Sequence, residues 1–216
     1  MAHEDRQRSE MSAIRILVVD DHPLFREGIS AILEGQPDLS LVGEASDGRE
    51  AIQQFRAYRP DVILMDLQMP EMNGLDATIA IRGEDPGARI IILTTYMGDV
   101  QVMRALRAGA RAYLLKNLLH KELLDTIRAV YAGKKTISPE ISYELAHHAT
   151  DEALTPPEIE VLRLIAGGNA NKEIAAQLSL TEETVKGRVR SILSKLSAID
   201  RTHAAMIGVK RGIIDF

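Results

Sequence analysis

The strongest constraint on this chain is a rhythm. Between residues 14 and 132, five short apolar runs alternate strictly with longer segments of helical period. The runs are residues 14–19 (IRILVV), 39–45, 62–65 (VILM), 89–94 (RIIILT) and 112–115 (AYLL). All are too short for helices. Four are apolar without alternation, as suits strands buried on both faces of a parallel sheet. Of the helical segments, the first starts at Pro23 and puts Phe25, Ile29, Ile32 and Leu33 on one stripe. The second, about residues 48–58, aligns Ala51, Phe55 and Tyr58; the third carries Leu75 and Ile79. The fourth covers roughly 100–108, and the fifth, about 121–132, aligns Leu123, Ile127 and Val130. Five strand–helix pairs in this order predict an α/β fold, a doubly wound five-stranded parallel sheet.

Parallel strands share a direction, so the residues that end them meet on one rim, where open α/β sheets bind ligands. The first run ends in Asp20-Asp21, the third in Asp66, the fourth in Thr94, and Lys116 follows the fifth. A carboxylate at a strand end is costly to bury unless something binds it. Beyond Asp66, Pro70 and Gly74 turn the backbone sharply. On residues 61–74 alone, a phosphoryl-accepting Asp66 and a helix-capping Asp66 are equally compatible readings. The rim as a whole favours the first. Three crowded carboxylates raise each other's pKa, and Mg²⁺, which takes few carboxylates plus waters, resolves the crowding. Lys116 offers a point charge to a phosphoryl oxygen and Thr94 a hydroxyl donor.

Composition excludes several classes. No cysteine is present, so there is no disulfide framework, thiolate catalyst or cysteine zinc site. No apolar run approaches the ~18 residues of a membrane span and no secretory signal is visible, so a soluble, cytoplasmic protein with no membrane partner is expected. Residues 1–12 (MAHEDRQRSEMS) are polar and patternless and read as a disordered extension. Residues 151–216 balance nine Lys+Arg against nine Asp+Glu, so the net charge of −5 falls on the first 150. Two modules with different partners follow from that asymmetry.

Residues 135–153 read as a linker with a short helix that starts at Ser138-Pro139. His147 and His148 are adjacent there, do not converge on a helix, and lack a partner of matching spacing, so no metal site is assigned. Residues 154–216 hold four short helical patterns, a small all-α domain. Thr155 caps the first, with Ile159, Leu162 and Ile165 inward, and Gly167-Gly168 stop it. Residues 171–178 form the second, and Ser179-Leu180 the turn after it. Thr181 caps the third, on which Val185, Val189, Ile192, Leu193 and Leu196 make an amphipathic stripe. Its outer side carries Lys186, Arg188, Arg190 and Lys195, with no acid between Thr184 and Ala198. Two helices joined by a tight turn, the second basic outside, form a helix-turn-helix pattern. Taken singly, such a basic face is more readily the solvated side of a structural bundle.

At these motifs two resemblances become specific. Through VVDDH, MDLQMPEMNG, IIILTT and GARAYLLK, residues 13–134 resemble the receiver domain of two-component response regulators. The resemblance implies Asp66 as phosphoacceptor, and Asp20 and Asp21 with the backbone carbonyl of Gln68 and Asp66 as Mg²⁺ ligands. It also implies Thr94 as switch hydroxyl, Tyr113 as switch aromatic and Lys116 as phosphate-binding lysine. Asn117 departs from the proline many receivers have there, and Gln68 and Tyr96 occupy positions that vary among receivers. Through NKEIA, LSLTEETVKGRVRSIL, KL and DRT, residues 154–216 resemble the LuxR-type DNA-binding domain. That match implies base contacts from Lys186 and Arg190, and backbone contacts from Lys172, Thr184 and Arg188. Pro157 and Arg188 stand where that family often has arginine and histidine. Together the resemblances point to the NarL/FixJ class. They imply a non-enzymatic transcriptional regulator that takes phosphate from a histidine kinase and binds double-stranded DNA half-sites as a homodimer once activated. The rivals are a regulator that binds DNA without phosphorylation and a phosphatase of the haloacid-dehalogenase kind. Against the phosphatase, the first strand ends in adjacent acids, not Asp-x-Asp, and no cap insertion follows.

Overall fold

The computed structural model describes residues 13–95, 98–117 and 120–214. The expected extension, residues 1–12, and Tyr96 lie outside them. Contacts divide the chain into two compact units, residues 1–95 with 104–138, and residues 96–103 with 139–216.

The first unit is built on a parallel sheet. Its strands are β1 (Ile14–Val19), β2 (Leu39–Ala45), β3 (Val62–Asp66), β4 (Ile90–Thr94), β5 (Ala112–Leu115) and β6 (Thr136–Ile137), in the order β2-β1-β3-β4-β5-β6. Every residue of β3 and β4 is buried, as continuous apolar runs in central parallel strands require. The edge strand β2 is buried only at its two ends. The sheet has six strands where five were expected. The sixth lies inside the expected linker and pairs Thr136 with Ala112 and Ile137 with Tyr113. Two residues carry neither an alternation nor an apolar run, so no sequence period could announce this strand.

The connecting helices are α1 (Pro23–Glu34), α2 (Gly48–Tyr58), α3 (Gly74–Glu84), α4 (Asp99–Ala108) and α5 (His120–Tyr131). Asp47 caps α2 by accepting from the backbone N–H groups of Arg49 and Glu50 at 2.7 and 3.0 Å. Asn73 caps α3 through the N–H of Asp76 at 2.9 Å. On α3 the inward face is Ala77, Thr78 and Ile81, while Ile79 stands 53% exposed. Its small and polar buried residues blur the apolar stripe by which an inward face is read. Leu33, Ile127 and Val130, all expected inward, are buried in the core with Ile16, Val18, Leu64, Ile91 and Leu114.

The second unit contains α6 (Pro139–His147), α7 (Pro156–Ala166), α8 (Asn171–Gln177), α9 (Glu182–Lys195) and α10 (Arg201–Lys210). Its core is Val161, Leu162, Ile165, Ile174, Val185, Ile192, Leu196, Ala204 and Ile214. Ile159, expected inward, is only partly buried, and the residue beside it, Glu158, is buried instead. Thr181 caps α9 as the sequence predicts, accepting from Thr184 N–H at 3.2 Å. Ser179 takes a left-handed backbone, φ 54°, in the tight turn between α8 and α9. The sequence reading gave the histidine pair no partner of matching spacing; the structure corrects this, with Glu144 3.8 Å and Asp151 2.8 Å from His148.

Candidate functional site

At the carboxyl end of the sheet, Asp66 closes β3 and Asp20 follows β1. Both are almost wholly buried, at 3% and 1% exposure. Lys116, just past β5, puts its Nζ 2.7 Å from Asp66 Oδ2 and 2.7 Å from Asp20 Oδ2. One ammonium therefore bridges two carboxylates, and it also lies over the Phe25 ring, with Nζ 4.8 Å from the ring centroid. The other Asp66 oxygen accepts from Leu67 N–H at 2.7 Å, and Gln68 N–H also bonds the carboxylate. Burial pushes the Asp66 carboxyl above its ordinary pKa; Lys116 and the Gln68 N–H oppose that rise, and Asp20 adds to it. Burial alone would lower Lys116, yet its bonds to Asp20 and Asp66 hold it above the usual lysine value.

The loop after β3 is shaped by one glycine. A Cβ on Gly74 would sit 1.8 Å from the carbonyl oxygen of Asp66. Any side chain there would push the start of α3 off the strand end that carries Asp66. Gly74 N–H instead donates to Leu67 O at 3.0 Å and closes the loop.

Asp21 and His22 complete the rim. His22 is the N-cap of α1, but its side chain makes no capping bond. Its Nδ1 lies 2.7 Å from Asp21 Oδ1 and 3.2 Å from Asp20 Oδ1. Asp20, Asp21, His22 and Asp66 each offer a ligand atom, all within 4.8 Å of one another. Among the described residues no other group of three or more such side chains converges in this way. Asp20 Oδ2 and Asp21 Oδ1 are buried without an aligned hydrogen-bond donor, although Lys116 lies close to the first and His22 to the second. Carboxylate oxygens crowded at one point, with one ammonium and one imidazole beside them, suit a hard divalent cation with oxygen ligands.

Thr94 ends β4 and is buried, as is Tyr113 on the neighbouring β5. Their hydroxyls are hydrogen-bonded. Tyr113, implied as the switch aromatic, is fully inside. Burial drives its phenol pKa well up, an effect the Thr94 bond only partly offsets. Gln68 is exposed beside this site.

The second unit presents a different surface. On α9, Val185 and Ile192 are buried, as is Leu196 at its C-cap, while Thr184, Lys186 and Arg190 are exposed and Arg188 is half-buried. Lys172, on α8, is exposed as well. Lys186 has one loose acidic neighbour, Glu183 at 3.9 Å. Lys195 is a correction to the expected outer face. It folds inward to Glu158 Oε2 at 3.0 Å and Glu152 Oε1 at 3.1 Å. Glu158 also accepts from Ser191 Oγ at 2.6 Å and from the N–H and hydroxyl of Thr155 at 2.7 and 2.9 Å. Burial would raise its pKa, but these bonds bring it down to about 2. Sequence reading missed this network, although Thr155-x-x-Glu158 is a capping-box spacing that signals it.

Comparison with known proteins agrees with both halves of this geometry. Residues 16–128 match the response regulator receiver domain family, and residues 152–207 match the bacterial regulatory proteins of the luxR family. The transcriptional regulatory protein LiaR of Bacillus subtilis is 41% identical over 210 residues, covering 94% of this chain and 100% of that protein. The response regulator protein VraR of Staphylococcus epidermidis is 39% identical over 207 residues, covering 94% and 99%. Among solved structures, RcsB of Salmonella enterica serovar Typhimurium, bound to a promoter in the presence of a phosphomimetic, superposes with TM-score 0.72 at 28% identity, covering 91% of this chain and 98% of that one. The response regulator ChrA of a heme-sensing two-component system gives 0.58 at 34%, covering 94% and 100%. Sheet, rim and basic helix thus fall together under one description, and the chain belongs to the two-component response regulators that join a receiver domain to a LuxR-type DNA-binding domain and regulate transcription.

Proposed function

We propose that Asp66 is the phosphoacceptor, and that its phosphorylation by a sensor histidine kinase controls how α9 engages double-stranded DNA. The observation that carries this reading is the buried Asp20–Lys116–Asp66 bridge, which holds a nucleophilic carboxylate beside a cation of the size and charge a phosphoryl oxygen needs. In the transfer, the phosphohistidine N–P bond breaks, an O–P bond forms at Asp66, and the kinase imidazole leaves. Lys116 exchanges a carboxylate for a phosphoryl oxygen. Thr94 donates its hydroxyl to another phosphoryl oxygen and then accepts from Tyr113, so the pair moves together and shifts a pre-existing equilibrium. Asp20, Asp21, Asp66 and the backbone carbonyl of Gln68 would hold Mg²⁺. When bound, the ion supplies positive charge that offsets repulsion between Asp66 and the incoming phosphoryl group.

Residues 13–138 act as the receiver, with β6 at the edge of its sheet, 139–153 as the linker and 154–216 as the DNA-binding domain. Lys186 and Arg190 face bases, while Lys172, Thr184 and Arg188 face the phosphate backbone. A homodimer reads two half-sites. In support, an apolar cavity of about 170 Å³ between α1 and α5 is walled by Phe25, Ile29, Ile32 and Leu123, and Leu24 at its mouth is 82% exposed. The protein works in the cytoplasm as a stoichiometric switch and not as an enzyme.

The test is intact mass after incubation with acetyl phosphate and Mg²⁺, for wild type and Asp66→Asn. A single phosphoryl adduct on wild type only is expected. No adduct, with DNA binding intact, would overturn the acceptor assignment and leave a regulator that works without phosphorylation. The fully inward Tyr113 is the one observation favouring that second reading.

A further inference from the structure

Asp20 is tied at each of its polar groups. Its N–H donates to Ala45 O at 3.0 Å. Its Oδ1 accepts from His22 N–H at 2.9 Å, and Lys116 Nζ lies 2.7 Å from its Oδ2. The fourth tie comes from outside the rim. Arg26, in the first turn of α1, donates from Nη1 to the carbonyl oxygen of Asp20 at 2.6 Å. Its Nε donates to Glu44 Oε2, on β2, at 3.0 Å. Only 18% of the Arg26 side chain is exposed, although it has no part in the phosphoryl transfer.

The helix itself gives no reason for this arginine. A cation near a helix N-terminus is disfavoured by the helix dipole, and the first turn of α1 carries no acid to offset it. The reason lies in the loop. The Asp20 carbonyl and the Asp21 N–H belong to one rigid peptide plane. Holding the oxygen fixes the tilt of that plane, and with it the direction in which Asp21 leaves the backbone. Asp21 depends on such a restraint more than the other acids do. Among the described residues, Lys116 pairs with Asp20 and Asp66 but not with Asp21. The side chain that reaches Asp21 Oδ1, at 2.7 Å, is His22, which is itself 69% exposed. Glu44 in turn holds the guanidinium, whose planar fork sets its donors at fixed angles.

Resting on the reading of the rim as a Mg²⁺ site, we propose that Arg26 is a positioning residue for that site. It braces the Asp20–Asp21 peptide from behind, so that the Asp21 carboxylate is aimed before the ion arrives. It touches neither the ion nor the phosphoryl group. Charge gives the proposal a sign. Arg26 is a cation beside a cation site, so by repulsion alone its removal would tighten Mg²⁺ binding. A brace requires the opposite.

Mg²⁺ is titrated into the full-length protein, and binding is followed by the amide chemical shifts of the rim. Arg26→Met is expected to weaken Mg²⁺ binding about tenfold, as loss of a group that orients a metal ligand does. Formation of the acetyl phosphate adduct should then need about tenfold more Mg²⁺ and reach the wild-type rate once Mg²⁺ saturates. Arg26→Gln puts an amide nitrogen where Nε stood and nothing where Nη1 stood. It keeps a donor for Glu44, loses the one for Asp20, and carries the same expectation should Arg26→Met not fold. Mg²⁺ binding as tight as wild type, or tighter, in either folded variant overturns the inference, because Arg26 then acts through packing or charge alone. Asp21→Asn separates this from failure of the reading beneath it. If wild type takes up no Mg²⁺, or Asp21→Asn binds it like wild type, the rim is not the cation site described and the inference falls with it.

Discussion

The two functional surfaces treat charge in opposite ways. In the receiver, Lys116 has only 11% of its side chain exposed and is shared between two buried carboxylates. On α9, Lys186 and Arg190 are exposed, and Arg190 meets no acid among the described residues. Buried charge left without a partner is expensive, so the receiver rim responds sharply when a charge is added or removed. Exposed cations cost the free protein little and are available to phosphates and base edges. Lys195 tests this division. It belongs to α9 by sequence, yet it is half-buried and paired with Glu158, and so it ties the helix to α7.

The largest expected effect comes from breaking the receiver bridge. Lys116→Met keeps the length of the stem and removes the charge, which leaves Asp20 and Asp66 facing each other. Urea unfolding should show a loss of about 3 kcal/mol, the range found when one partner of a buried pair is removed. Saturating Mg²⁺ should restore more stability to this variant than to wild type, because the cation takes over the neutralising role. If Lys116→Met unfolds like wild type in the absence of Mg²⁺, the contrast between the two surfaces collapses.

A smaller effect is expected where buried charge occurs in the DNA-binding unit. Glu158→Gln keeps the shape and part of the hydrogen bonding but loses the charge-assisted bonds, at a cost of about 2 kcal/mol. The pH dependence has a definite sign. Glu158 is held at about 2, below the ordinary 4.5 of the unfolded chain. Its stabilisation is therefore complete above pH 4.5 and lost as the pH falls from there toward 2. Thermal melts followed by circular dichroism should show that acid-side decline in wild type and a reduced one in Glu158→Gln. Equal slopes would make the network incidental to the fold.

Much of this was legible in the sequence, and the gaps have physical causes. The rim was readable because parallel strands carry their terminal residues to one edge, so Asp20, Asp66, Thr94 and Lys116 could be grouped without coordinates. The stripe of α9 was readable because its period is that of a helix. β6 was not, since two residues have no period. The inward turn of Lys195 was not either. The helical wheel places it outside, and only the tertiary position of Glu158, one turn into α7, draws it back. Ile79 misleads for a related reason: the buried side of α3 is set by the small residues Ala77 and Thr78, whose fit to the sheet is a matter of shape more than hydropathy.

The smallest effect concerns the hydroxyl pair behind the rim. Tyr113→Phe removes one hydrogen-bonding group from Thr94 and leaves the ring packed, at a cost of about 1 kcal/mol. It should not prevent an acetyl phosphate adduct on Asp66, because Tyr113 bonds Thr94 and is not among the groups that converge on the cation site. The consequence should appear downstream, as a reduced gain in DNA affinity on phosphorylation. Thr94 would still bond the phosphoryl oxygen, but its movement would no longer be coupled to β5. A Tyr113→Phe protein that forms the adduct and gains DNA affinity as fully as wild type would show that the signal leaves the rim by a route other than this pair. The receiver would then couple through Lys116 and its two carboxylates alone.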